Sequence, residues 1–158
     1  MKSNKGYTLV ELIVVITIIG IISASLTVGI VQFMKNNTKM GLESLCSVMD
    51  TGRYRTMSGK NGSVLVKLKV GSKNYEAQVV VDSTVEESYN LYSTRHTTYI
   101  NSNPVTSEAI FYYNKSDGTI DRVTVDGTDI YTTTGLSITS DGDAKITVSG
   151  TTGRSILE

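Results

Sequence analysis

Disulfide bracing is closed to this chain, because Cys46 is its one cysteine. Whatever folds must stand on packing alone. Histidine is almost as scarce: His96 is single, and neither CxxC nor HExxH occurs, which excludes zinc chemistry of the common kinds. Tryptophan is absent and proline occurs once, at Pro104. The formal charge is zero, so the total points to no partner. No phosphate loop and no nucleophile–base spacing suggests an enzyme, and no cofactor is implied. Neither "SDGDAK" (Asp141, Asp143) nor "DGTD" (Asp126, Asp129) carries the ligand spacing of a calcium loop. Turn chemistry accounts for these aspartates.

What is present is unevenly placed. Residues 1–73 hold ten Lys/Arg against three Asp/Glu, a balance of +7, and residues 74–158 hold five against twelve, a balance of −7. Such polarity can steer assembly or the binding of a charged partner. Hydrophobicity is uneven too. From Leu12 to Met34 run 23 residues without a charge. As a helix they would cover about 34 Å, enough for a hydrocarbon core of about 30 Å. Lys2 and Lys5 precede the run; Lys35 and Lys39 follow it. With positive charge on both sides the orientation rule alone is weak, and a short basic N-terminus inside is the better fit.

Glu11 stands at the front of this run, where a carboxylate is costly. A secretory signal peptide would have a shorter apolar core and a cleavage site such as "SAS" at 23–25. A plain signal anchor fits the length and leaves Glu11 unexplained. The stretch "KGYTLVELIVVITIIGIISA" resembles the N-terminus of type IV prepilins and of the pseudopilins of type II secretion and DNA-uptake machines. The resemblance implies a leader, 1–6, removed after Gly6 by a prepilin peptidase that also N-methylates the new N-terminal Tyr7. The family usually has Phe at that position. Residues 7–34 would then be a transmembrane and assembly helix, with 35–158 an extracytoplasmic domain. Glu11, fifth in the mature chain, would meet the free amine of a neighbouring subunit, since a paired carboxylate loses most of its burial penalty. The implied partners are the peptidase/methyltransferase, other pilin or pseudopilin subunits, the cytoplasmic membrane and an inner-membrane assembly platform. An interfacial, snorkelling Glu11 is the plainer alternative.

Helical spacing continues through Leu42, Leu45, Cys46 and Met49, with Arg53 next on that face, and predicts one helix from about Tyr7 to about Met57. Gly20 and Gly29 are its weak points. Cys46 reads as a core thiol. After Gly59 the period becomes two: "SVLVKLKVG" puts Val64, Val66, Leu68 and Val70 on one face, Lys67 and Lys69 on the other. "YEAQVVVD", "AIFYYN", "DRVTV", "LSIT" and "AKITVSG" read as further strands, with Asp-Gly turns at 117–118, 126–127 and 141–142. Residues 83–104 show no strong period and read as an irregular connection, with one short strand near Thr97–Ile100. The expected class is α+β, a long helix followed by an antiparallel sheet. Ile146, Val148, Gly153 and Arg154 also resemble the I-x-V-x-x-x-x-G-R ending of minor pseudopilins of the GspH/FimT class.

One further strip remains. Arg53, Arg55, Lys60, Lys67, Lys69 and Lys73 are six bases with no acid between them, flanked by Tyr54 and Tyr75. A strip like this would track a nucleic-acid backbone, as a DNA-binding minor pilin requires; a solvated sheet face would look the same. A third reading is a signal-anchored binding protein that never polymerises. Of the clustered tyrosines, Tyr112 and Tyr113 must point to opposite faces if they lie in a strand, so only one belongs to a core.

Overall fold

The computed structural model describes residues 8–59, 63–130, 135–141 and 144–158, without the side chains of 24–31, 34 and 35. Among the described residues, helix α1 (Leu9–Met57) is followed by eleven strands in two antiparallel sheets. The α+β class expected from the sequence is the one observed, with two sheets in place of one. The chain divides into two units, Met1–Lys35 and Asn36–Glu158.

In the first unit the helix begins after Thr8 and carries apolar residues on all sides. Every described side chain from 8 to 23, and at 32 and 33, is exposed. Thr17 and Ser23 hide their hydroxyls by donating to the carbonyls of Ile13 and Ile19, one turn back. Among the described residues no helix is long and apolar enough to cross a membrane. The described side chains of the uncharged run, 12–23, cover about 18 Å at 1.5 Å per residue.

In the second unit the same helix is amphipathic. Leu42, Leu45 and Met49 are buried as the spacing predicts, Val48 is buried beside them, and Cys46 is only half-buried. Two glycines bring its backbone close to the sheet. A Cβ at Gly41 would sit 2.4 Å from the Tyr92 ring, and one at Gly52 would sit 2.3 Å from a Val66 methyl.

The first sheet comprises β1 (Val64–Val70), β2 (Asn74–Val81), β3 (Thr84–Ser93), β6 (Glu108–Tyr113), β7 (Ile120–Val125) and β8 (Thr128–Ile130), in the order β3-β2-β1-β6-β7-β8. The second comprises β4 (Thr98–Ile100), β5 (Asn103–Pro104), β9 (Gly135–Ser140), β10 (Lys145–Ser149) and β11 (Ser155–Leu157), in the order β11-β10-β9-β4-β5. Val66, Leu68, Ala77, Val79, Phe111 and Val123 from the first sheet share one core with Ile100, Leu136, Ile138, Ile146 and Val148 from the second.

Residues 83–104 correct the expected irregular connection: they contain β3, at ten residues the longest strand among the described residues. Its sequence, TVEESYNLYS, lacks a clean alternation because it lies at the edge of its sheet, and two register shifts against β2 disturb the pleat. The short strand expected near Thr97–Ile100 is present as β4. Tyr112 and Tyr113 do face opposite ways. Tyr113 is 7% exposed in the core, while Tyr112 lies outside, with the Arg122 guanidinium 4.3 Å from its ring centre.

Turn chemistry joins the strands. Asp126 and Gly127 both take positive φ, 49° and 80°, as a tight two-residue hairpin turn requires. The Asp126 carboxylate also accepts hydrogen bonds from the N–H groups of Thr106, Ser107 and Glu108 and from the Thr106 hydroxyl. Burial opposes its charge, yet these donors prevail and hold its pKa below the ordinary carboxylate value. The turn at 141–142 falls partly outside the described residues.

Candidate functional site

The first turn of α1 is a built helix start. The backbone N–H of Glu11 donates to Thr8 Oγ1 at 3.2 Å, and the N–H of Leu12 donates to the Thr8 carbonyl at 3.2 Å. Thr8 is therefore the N-cap and Glu11 the third helical residue, the Thr-x-x-Glu spacing of a capping box. The signal is local and lies in the contiguous stretch "TLVE". The carboxylate of Glu11 sits on exposed surface in the first turn of the helix. Gly6, Tyr7 and the leader 1–6 lie outside the described residues.

The basic strip is dispersed. Arg55 binds both Glu86 and Glu87 on β3. Lys67 faces Glu108 at 3.7 Å. Arg53 is half-buried, and Gly118 packs on its side chain. Lys69 is exposed, opposite Glu76 and Glu108 in register, while Lys73 is exposed in the β1–β2 turn. Lys60 lies outside the described residues. Sheet pairing thus interleaves the lysines of β1 with carboxylates from β2 and β6, which proximity along the chain could not show.

The Ile146–Arg154 ending has a packing role. Ile146 and Val148 are core residues, and Arg154 is exposed. Gly153 has φ 64°, and a Cβ on it would lie 2.0 Å from the Gly118 carbonyl oxygen. The turn before β11 therefore closes against the β6–β7 turn, and only glycine fits both the angle and the approach.

Beneath that contact, Ser155 donates to Asp50 Oδ1 at 2.9 Å and touches the Cys46 carbonyl at 3.3 Å, tying β11 to the helix. Cys46, expected as a core thiol, is only half-buried and packs against the edge of the core; burial raises its pKa, which makes it a poor thiolate. The Tyr113 hydroxyl and Arg53 Nε are buried nearby without a hydrogen-bond partner.

A second polar node was not legible in the sequence. The Tyr75 and Tyr92 rings meet tilted, at 41° with centres 5.1 Å apart, with the Tyr92 hydroxyl against Thr98 Oγ1 and the Thr98 N–H donating to the Tyr75 hydroxyl. It joins the two sheets, and burial pushes the Tyr92 pKa up to about 12.

Among the described residues no group of three or more His, Cys, Asp or Glu side chains is placed to hold a metal. An open groove of about 490 Å³ near Asn101, Ser137, Thr147 and Thr151 has no titratable side chain in its lining.

Comparison with known proteins supports the N-terminal resemblance. Residues 1–27 match the family described as the prokaryotic N-terminal methylation motif. No curated protein and no solved structure matches the chain.

Proposed function

We propose that this chain is the precursor of a type IV pilin-like or pseudopilin subunit, a structural protein with no catalytic role. The observation that carries the reading is the match of residues 1–27 to the methylation motif. Prepilin peptidase cuts after Gly6 and methylates Tyr7. The apolar helix stays on the mature protein and anchors it in the cytoplasmic membrane, N-terminus inside and the β-rich unit outside.

The exposed apolar side chains of residues 9–22 support this, because a helix hydrophobic all round belongs in lipid or among other helices. From the membrane the subunit passes into a fibre through its helix, in contact with an assembly platform and other subunits. Glu11 pairs there with the amine of a neighbour. Glu11 lies at N3 of the capped helix, in its first turn.

The ion pairs of Arg55 and Lys67 and the acidic neighbours of Lys69 weigh against a DNA-binding role. Nothing in the fold favours an anchored protein that never polymerises.

Intact mass and N-terminal sequence of membrane-extracted protein test the reading. We expect a chain starting at Tyr7 and carrying one methyl group. A chain retaining Met1, or cut near Ser23–Ser25, would overturn it. Glu11→Ala should leave processing and anchoring in place and abolish incorporation into fibres; normal incorporation would refute the pairing.

A further inference from the structure

Where α1 begins bears on the bond that is cut. The helix starts at Leu9, and Thr8 closes its end. Thr8 Oγ1 accepts the Glu11 N–H and the Thr8 carbonyl accepts the Leu12 N–H, each at 3.2 Å. An N-cap residue takes non-helical backbone angles, so the helix stops on it. Thr8 follows Tyr7 directly in the sequence, and the Gly6–Tyr7 bond therefore precedes the cap by one residue.

The cap matters because of what stands upstream. Ser3 and Asn4 belong to the residue types that cap helices best, with Lys5, Gly6 and Tyr7 between them and Thr8. A helix begun at Asn4 would hold Gly6 and Tyr7 at its second and third positions. The Gly6 carbonyl would then accept the Val10 N–H, and the Tyr7 carbonyl the Glu11 N–H, by the four-residue rule of the helix. Thr8 Oγ1 occupies that same Glu11 N–H. The side chain thus takes the donor that a backward extension would need. Gly6 opposes the extension as well, by about as much as a good cap contributes.

We propose that Thr8 is a positioning residue for prepilin processing: by binding the Glu11 N–H it ends the helix just after the cut bond and keeps Gly6–Tyr7 open to the peptidase. The inference rests on the cleavage proposed above, which the match of residues 1–27 to the methylation motif supports. The step is a hydrolysis. Water adds to the Gly6 carbonyl, the bond to the Tyr7 nitrogen breaks, and Tyr7 leaves with a free amine. A carbonyl engaged in a helix must first be released, so the rate follows the population of the open form. Thr8 touches neither atom of the bond and acts through the place where the helix begins.

The full-length precursor in membranes with prepilin peptidase tests this, with cleavage followed over time by intact mass. Thr8→Ala and Thr8→Val should be cut about fivefold more slowly than the parent, the change in a local equilibrium that loss of a cap produces. Thr8→Ser and Thr8→Asp cap as well or better, and should be cut at the parent's rate or faster. An enzyme that reads the threonine side chain itself would reject Asp together with Ala, and that result overturns the proposal. A parent left uncut after Gly6 overturns the proposed function and this inference together. A parent cut there, with Thr8→Ala cut equally fast, overturns this inference alone.

Hydrogen exchange on the uncleaved precursor in detergent micelles provides the second arm. A helix that begins at Leu9 gives the Val10 N–H no carbonyl of its own to bind. In Thr8→Ala that amide should exchange severalfold more slowly, because the lengthened helix offers it the Gly6 carbonyl. Slower cleavage without this protection refutes the proposal.

Discussion

The two units of this chain use the same helix in opposite ways. In Met1–Lys35, Ile16 is 57% exposed although it is strongly apolar; in Asn36–Glu158, Leu45 on the same helix is fully buried. The first segment presents its hydrophobic surface to whatever lies outside the chain. The second spends its own on a core shared by the helix and two sheets. Substitutions should therefore separate folding from assembly according to which unit they touch.

Glycine gives the widest contrast. Gly153→Val would place a branched side chain at φ 64° and against the Gly118 carbonyl. We expect a loss of at least about 5 kcal/mol, or no folded protein, by thermal or urea unfolding. Gly20→Ala meets nothing within 4 Å. It should strengthen the helix by about 1 kcal/mol and leave unfolding of the second unit unchanged. A Gly153→Val protein that unfolds like the parent would show that the two turns do not need their close approach.

Apolar truncation comes next. Phe111→Ala empties a fully buried site between the sheets and should cost about 3–5 kcal/mol. Ile16→Ala should leave the unfolding midpoint of the second unit where it is and weaken incorporation into fibres. Equal unfolding losses from both would erase the distinction between the units.

The smallest effect concerns pH. The pKa of Asp126 is lowered in the fold, so its contribution is complete above the ordinary carboxylate value of about 4 and is lost as pH falls through the folded value. Asp126→Asn should cost about 1 kcal/mol at neutral pH, modest because the group is largely exposed. It should also flatten the acid limb of stability below about pH 4. An acid limb identical to the parent's would assign that sensitivity elsewhere.

Much of the fold was legible in residue order because its signals are local. The switch from period 3.6 to period two after Gly59, the Asp-Gly turns, and the opposed faces of Tyr112 and Tyr113 all follow from chain geometry over a few residues. The edge strand β3 was missed for a physical reason. An edge strand buries little on either face, so its side chains need not alternate. The Thr8 cap was in plain view in "TLVE".

The sequence by itself determined the N-terminal methylation motif, the helix and the α+β class, since each rests on the chemistry of a contiguous stretch. Only the tertiary structure decided that Arg55 and Lys67 are bound by carboxylates, that Gly153 closes on Gly118, and that β3 is left at an edge. Those facts depend on which distant segments the sheets bring side by side, and sheet order is set by the packing of one shared core.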